Sequence, residues 1–193
     1  LRVLQLLSAA SATISEGEVH QLLAKNHIET GQEEYLHIIA SKTAQLFVAA
    51  CQVGAIIEEC SEAEERALAE YGRHLGVAFQ IVDDVLDYSA TQQKLGKSIG
   101  DDFAEGKVTL PVILAYAKGS EAERKFWQQA IENEQGDLNQ ALDIIHQNGV
   151  LPEAMKLAEY YADQAQKALS VFEEGEVKKA LLSLAQFAID RPY

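Results

Sequence analysis

Apolar and small side chains recur every three or four residues along most of this chain, the spacing of one face of an α-helix. The repeat is longest in the segment 31–59, where it includes Leu36, Ile39, Leu46 and Val53. Alternating patterns typical of half-buried strands are nearly absent. The periodicity therefore predicts an all-α protein with the long segment 31–59 at its centre.

Helix starts are marked by Ser or Thr followed three residues later by Glu, the spacing of a capping box. The pattern occurs at Ser15/Glu18, Thr30/Glu33, Ser61/Glu64 and Ser120/Glu123. Together with the periodicity, it predicts helices at about 1–13, 16–25, 31–59, 62–88, 109–118, 121–134, 138–148, 152–173 and 176–189. A single helical domain over residues 1–193 accommodates all of them.

The segment 79–88, FQIVDDVLDY, places three aspartates in an apolar helical run. Asp83 and Asp87 share a face of the helix and Asp84 lies about 100° round from Asp83. A solvated acidic face is the alternative, but the neighbours are apolar and the buried like charges would repel one another without a cation. Mg²⁺ suits such carboxylates, because it keeps several waters and accepts phosphate oxygens from a substrate. The motif predicts a magnesium site and a phosphorylated substrate.

Residues 89–108 form an irregular stretch whose length and position after the aspartate helix predict a lid. Its Lys97 and Lys107 are candidates for binding phosphate oxygens, against the alternative of a solvated mixed-charge loop. Upstream, Lys42 stands on a helix of apolar and small residues, where it either serves the same site or extends its ammonium to water. Gln80 either orients a substrate or satisfies a backbone group.

The net charge and the absence of several known motifs exclude some classes of function. The formal net charge of −14 argues against nucleic acid or anionic lipid as partners. No Walker A loop, GxGxxG motif, GxSxG motif or HxxxH pair is present in the sequence. A diphosphate held by Mg²⁺ on helices is the chemistry that remains.

The location of the protein is predicted from its cysteines and its apolar segments. Cys51 and Cys60 fall nine residues apart on one predicted helix, too far for a disulfide, so we expect a reducing, cytoplasmic compartment. No apolar stretch reaches the roughly 18 residues expected of a membrane-spanning helix, so we predict no transmembrane segment.

FQIVDDVLDY followed by GKSIGDDFAEGKVTLP, with Lys42 and Thr43 upstream, closely resembles the trans-isoprenyl diphosphate synthases, the polyprenyl synthetase family. The sequence of these segments is most similar to that of the long-chain bacterial members that make octaprenyl or decaprenyl diphosphate for quinone side chains. The resemblance implies an isoprenoid synthase-type helical bundle, usually a homodimer. Its reaction joins isopentenyl diphosphate to the cation formed when an allylic diphosphate ionises.

The resemblance also implies roles for individual residues. The implied Mg²⁺ ligands are Asp83, Asp84 and Asp87. The implied diphosphate-binding cations are Lys42, Lys97 and Lys107. Thr43 and Gln80 match positions whose oxygens face the developing carbocation, so that with Lys42 they form the implied catalytic set.

The family's first aspartate-rich motif, its GxxR-type segment and its arginine pair have no match in this sequence. We therefore expect an N-terminally truncated chain, inactive alone and prone to associate through uncovered apolar surface. The alternative is a natural half that depends on a partner. Two other functions stay open: a non-catalytic helical subunit of a prenyl synthase, and a terpene cyclase. The GKxxGDD motif argues against the terpene cyclase.

Overall fold

The computed structural model describes residues 1–89 and 100–190, which form helices and turns and contain no strand. The predicted all-α class is confirmed. In chain order the helices are α1 (Arg2–Ala24), α2 (Gln32–Ile39), a π-helical turn (Ala40–Ala44), α3 (Gln45–Ile57), α4 (Glu62–Asp87), α5 (Asp101–Ala104), α6 (Leu110–Lys118), α7 (Glu121–Glu132), α8 (Leu138–Gln147), α9 (Val150–Ala168), a 3₁₀ turn (Leu169–Val171) and α10 (Glu176–Ile189).

Two of the four predicted capping boxes are confirmed. Ser61 accepts a hydrogen bond from the backbone N–H of Glu64, whose carboxylate accepts one in return, and Ser120 and Glu123 repeat the arrangement. The predicted box at Ser15 is wrong, because its hydroxyl donates to the Ser11 carbonyl at 2.9 Å and α1 continues past it. The predicted helices 1–13 and 16–25 are therefore one helix.

The box predicted at Thr30 is also wrong. Helix α2 begins after Gly31, whose backbone is extended, and no side chain caps it. The long helix predicted over 31–59 exists as α2, the π turn and α3 in direct succession. The π turn was not predicted, and it inserts an extra residue into the helical repeat at Lys42 and Thr43.

Helix α4 lies at the centre of the bundle and packs most extensively against α9 and α3. Its Ile81, Val82 and Val85 are fully buried and join a core with residues of α6 to α9. A second, smaller core forms around Tyr71 and Leu75 at the other end of α4. The segment 32–57 therefore lies beside the centre rather than at it.

The helix from Gln32 to Ile57 is long and apolar enough, by length and composition alone, to cross a membrane. The prediction that no stretch reaches this length is wrong for this helix. Core helices of proteins that never enter a membrane pass the same test, and about a third of its most apolar window is buried in the bundle.

Half of the predicted lid, 89–108, falls on residues 90–99, which include Lys97 and lie outside the described part of the chain. After this segment, Gly100 adopts a φ of +76° and precedes the short helix α5. The segment predicted as irregular thus contains one helical turn, which places Asp102 and Lys107 beside α4.

Candidate active site

A cleft of about 140 Å³ lies between α1, the α2–α3 helix, α4 and the segment after α5. It brings together six of the residues singled out in the sequence: Lys42, Thr43, Gln80, Asp83, Asp84 and Lys107. Five further polar residues line the same cleft: Gln21, Lys25, Tyr35, Asp102 and Thr109. Residues separated by up to 88 positions in the chain, from Gln21 to Thr109, therefore meet in one concave site.

The π turn sits between two glycines that allow its backbone to approach neighbouring helices closely. A Cβ on Gly17 of α1 would lie 2.6 Å from the backbone nitrogen of Lys42. On the other side, a Cβ on Gly76 of α4 would lie 2.5 Å from the Cα of Ala44. These contacts hold Lys42 and Thr43 at a fixed depth in the cleft.

Lys42 is positioned by two side chains of α1. Its ammonium forms an ion pair with the Glu18 carboxylate at 2.8 Å and donates to the amide oxygen of Gln21. Because the lysine side chain is only 32% exposed, these partners replace much of the water it would otherwise bind. The ammonium is thereby kept at the cleft, which argues against the alternative of a lysine extended into bulk water.

Asp84 is buried, with 3% of its surface exposed, and both of its oxygens accept hydrogen bonds. The Tyr35 hydroxyl donates to Oδ2 at 2.6 Å, and the Gln80 amide nitrogen donates to Oδ1 at 2.8 Å. Gln80 in turn accepts a hydrogen bond from the Thr43 hydroxyl at 2.8 Å. One chain of hydrogen bonds therefore links α2, the π turn and α4.

Asp87 faces helix α5. Its two carboxylate oxygens accept hydrogen bonds from the backbone N–H groups of Asp101 at 3.3 Å and Asp102 at 3.1 Å. Its own carbonyl accepts from the N–H of Gly100 at 2.9 Å. Asp83, one turn earlier, is exposed at the cleft. The three aspartates of the motif thus have three different surroundings.

Lys107 forms ion pairs with Asp102 at 2.8 Å and with Glu105 at 2.9 Å. Burial opposes its positive charge, but the hydrogen bonds from its ammonium to these two carboxylates outweigh burial and raise the pKa of Lys107. The lysine therefore stays charged at the cleft and offsets part of the acidic charge around it.

Three carboxylates, those of Asp83, Asp84 and Asp102, line the same cleft. Burial, and then the charge of Asp102, raise the pKa of Asp84 to about 7. Burial and the same neighbour raise the pKa of Asp87 to about 6, although the N–H groups of Asp101 and Asp102 oppose the shift. A bound cation would relieve the repulsion between these negative charges.

Among the described residues, no three His, Cys, Asp or Glu side chains stand close enough together to hold a metal ion on their own. Asp83, Asp84 and Asp87 do not form such a group by themselves, and their role as Mg²⁺ ligands stays a prediction. The donor set still fits Mg²⁺, which binds through one or two carboxylates and completes its shell with waters and phosphate oxygens. Asp83 and Asp84 at the cleft, with Asp102 opposite, offer the hard oxygens that this ion prefers.

Four contributors to the site were not predicted from the sequence: Glu18, Gln21, Tyr35 and Asp102. Glu18 and Gln21 stand one turn apart on α1. Nothing in this local spacing predicts their contact with Lys42, which follows Gln21 by 21 positions. Tyr35 has the spacing of an ordinary core residue on α2. Asp102 was visible only as one acid of the GDD sequence within the predicted lid.

The bundle and its cleft define an isoprenoid synthase fold. The structure matches a decaprenyl diphosphate synthase from Rhodobacter capsulatus with a TM-score of 0.93 and 42% identity, over 98% of this chain and 59% of that one. A polyprenyl synthase from Caulobacter crescentus, solved with calcium and isoprenyl diphosphate, matches with a TM-score of 0.94 and 42% identity, over 99% and 59%.

The chain belongs to the polyprenyl synthetase family, whose sequence model matches residues 1–147. The octaprenyl diphosphate synthase of Haemophilus influenzae is 45% identical over 197 residues, covering 100% of this chain and 59% of the relative. The octaprenyl diphosphate synthase of Escherichia coli is 42% identical over 193 residues, covering 99% and 60%. The family recognised from the sequence motifs is confirmed. The chain spans about 60% of the length of these relatives.

Proposed function

We propose that this chain is the C-terminal part of a prenyltransferase. The enzyme condenses isopentenyl diphosphate with an allylic diphosphate to make a long-chain polyprenyl diphosphate, a precursor of quinone side chains. The observation that carries the proposal is the cleft itself, which sets cations and carboxylates beside the oxygens of Thr43 and Gln80. The Caulobacter relative, which binds isoprenyl diphosphate and calcium, supports it.

The ammonium groups of Lys42 and Lys107 bind the diphosphate of the allylic substrate and stabilise the charge that grows on it as the carbon–oxygen bond breaks. Lys97, which lies outside the described residues, is proposed for the same role. The aspartates Asp83, Asp84 and Asp87 are the proposed Mg²⁺ ligands. When bound there, Mg²⁺ neutralises diphosphate oxygens and makes the diphosphate a better leaving group.

Thr43 and Gln80 act on the organic part of the substrate. Their oxygens lie at the cleft, where a positive charge develops on the allylic carbon after the diphosphate departs. Oxygen dipoles that are already oriented stabilise such a charge without having to reorganise. The homodimer and the cytoplasmic location expected from the sequence remain predictions.

The proposal is tested with a chimera that joins this chain to the N-terminal remainder of the Haemophilus influenzae synthase. We expect the chimera to incorporate isopentenyl diphosphate into polyprenyl products with Mg²⁺ and farnesyl diphosphate. Asp83→Asn in the chimera should lower turnover by about a hundredfold or more, since a carboxylate that organises the charge of the leaving group is lost. A folded chimera without activity would contradict the proposal.

A second candidate is a subunit that needs a partner chain. It is favoured by one relative, the heptaprenyl diphosphate synthase component 2 of Bacillus subtilis, which is 30% identical over 189 residues and named as a component. If this chain were a non-catalytic subunit, Asp83→Asn and Lys107→Gln would leave the activity of the assembled enzyme unchanged. Loss of activity in both variants favours the first proposal.

A further inference from the structure

Tyr35 stands at the start of a hydrogen-bond chain that runs through Asp84 to Gln80 and Thr43. It lies on α2, 49 positions before Asp84, and its hydroxyl donates to Asp84 Oδ2 at 2.6 Å. Both residues are 3% exposed, so water does not compete for this bond. We infer that Tyr35 is a positioning residue, which through Asp84 fixes the orientation of the Gln80 amide and the Thr43 hydroxyl.

The first step of the argument concerns Asp84. In the structure both oxygens of Asp84 accept hydrogen bonds, so the side chains that face them are donors. With Oδ2 held by Tyr35, Oδ1 is directed along α4 towards Gln80, one turn earlier, whose Nε2 donates to it at 2.8 Å. The amide of Gln80 is thereby turned with its nitrogen towards Asp84.

The second step concerns the oxygens that remain. Because the Gln80 nitrogen faces Asp84, its Oε1 lies on the opposite side, where it accepts the Thr43 hydroxyl at 2.8 Å. The only hydrogen of that hydroxyl is used in this bond, so Thr43 has just oxygen lone pairs left for the cleft. Without the Tyr35 hydroxyl, the Asp84 carboxylate is free to rotate and the Gln80 amide is free to reverse. The NH₂ group of Gln80, with its partial positive charge, would then face Thr43 in place of the oxygen.

This inference rests on the proposed function only for the identity of the charge that the oxygens face. A developing carbocation is stabilised by fixed oxygen dipoles and destabilised by N–H or O–H hydrogens pointed at it. The orientation itself is a property of the folded chain and is measurable without any substrate.

The test uses Tyr35→Phe, which removes only the hydroxyl. Its matched control is Tyr71→Phe, since Tyr71 is also buried on the bundle and its hydroxyl donates a single hydrogen bond, to the Leu181 carbonyl at 2.8 Å. The readout is the side-chain amide of Gln80 in ¹H–¹⁵N NMR spectra of the metal-free chain. Tyr35 does not donate to Gln80, so a direct effect is excluded by the bonding pattern.

In Tyr35→Phe we expect the Gln80 NH₂ signals to move and their exchange with solvent to become about five- to tenfold faster, the effect of losing one hydrogen bond from the network. In Tyr71→Phe they should stay at their wild-type positions. Unchanged Gln80 signals in Tyr35→Phe, or equal changes in both variants, would overturn the inference.

A second measurement separates this inference from the proposed function. In the active chimera, Tyr35→Phe should lower kcat by about tenfold and leave KM for the allylic diphosphate within about twofold, because Lys42 and Lys107, which bind the diphosphate, have no bond to Tyr35. Equal effects on kcat and KM would contradict the positioning role. If the wild-type chimera is inactive, the proposed function fails, and the NMR experiment still decides the orientation of Gln80.

Discussion

A Cβ atom on Gly17 would lie 2.6 Å from the backbone nitrogen of Lys42, so α1 meets the π turn at a point where only hydrogen fits. The same Cβ would lie 2.9 Å from the Cβ of Ser41. The depth of Lys42 in the cleft is therefore set by backbone packing from α1, in addition to the side-chain partners of the lysine.

Gly17→Ala should destabilise the chain by about 1–3 kcal/mol, because the added methyl group overpacks a backbone contact that has no flexible side chain to yield. Gly54→Ala is the matched control, since Gly54 also lies in a helix but has no atom within 4 Å of its Cβ position. The control should be neutral or more stable by up to about 1 kcal/mol. Urea unfolding measures both, and a Gly17→Ala midpoint at or above the wild-type value would refute the packing argument.

Asp84 gives the metal-free chain a pH-dependent stability. Its pKa, about 7 in the folded chain, is above the ordinary value of 3.8, so the folded state holds the proton more tightly than the unfolded state. The stabilisation is complete below about pH 4 and is lost as the pH rises through 7. Asp84→Asn should flatten this dependence between pH 5 and pH 8 by on the order of 2 kcal/mol.

The check is the free energy of unfolding at several pH values without divalent ions. Asp143→Asn, an exposed acid on α8, is the control and should follow the wild-type curve. The pKa of Asp87, about 6, predicts a smaller residual dependence of the same sign in Asp84→Asn. A variant that becomes more pH-dependent than the wild type would show that the sign is wrong.

The fold was predictable where local signals decide it, and the site was predictable where single residues carry its chemistry. Ser61 and Ser120 start helices because their partners lie three residues away in the chain. Ser15 has the same local spacing, but its hydroxyl bonds to the carbonyl four residues back within a continuous helix, which the spacing alone does not distinguish.

Tyr35 and the π turn were not predictable, because each is defined by a contact between distant segments. The role of Tyr35 depends on a partner 49 positions away, and the π turn is held between Gly17 and Gly76, which are 59 positions apart. Local periodicity contains neither relationship. The motif aspartates were found, but their separate surroundings were not, since those depend on α2 and α5.

Lys107→Gln separates ligand binding from stability. The lysine side chain is 28% exposed, and ion pairs that reach solvent contribute little to folding, so we expect a loss of less than about 1 kcal/mol in stability. Binding of inorganic diphosphate with Mg²⁺ should weaken by about tenfold or more. The variant loses an ammonium group at the cleft, and the negative charge of Asp102 and Glu105 is then no longer offset by that of the lysine.

Isothermal titration calorimetry on the 193-residue chain provides the measurement. Lys179→Gln removes an exposed lysine that pairs with Glu176 on α10, far from the cleft in the chain, and should leave diphosphate binding unchanged. Equal losses of affinity in the two variants would show that net charge, rather than the position of Lys107, controls binding.

The outer face of α1 predicts self-association of the chain. Val19, Leu22 and Leu23 are 54%, 63% and 68% exposed, and Leu4 continues the apolar surface towards the start of the helix at 65%. A patch of this kind on one helix favours contact with another apolar surface. Helix α10 carries a comparable pair, Val177 and Phe187, at 76% and 67% exposure.

Sedimentation velocity over a range of concentrations distinguishes the two faces. The double variant Leu22→Gln/Leu23→Gln should sediment mainly as a monomer at concentrations where the wild-type chain associates, since each change removes a large apolar side chain from the α1 face. Val177→Gln/Phe187→Gln is the matched control and should associate like the wild type. If only the control becomes monomeric, the contact belongs to α10, and a wild-type chain that stays monomeric throughout would show that neither face drives association.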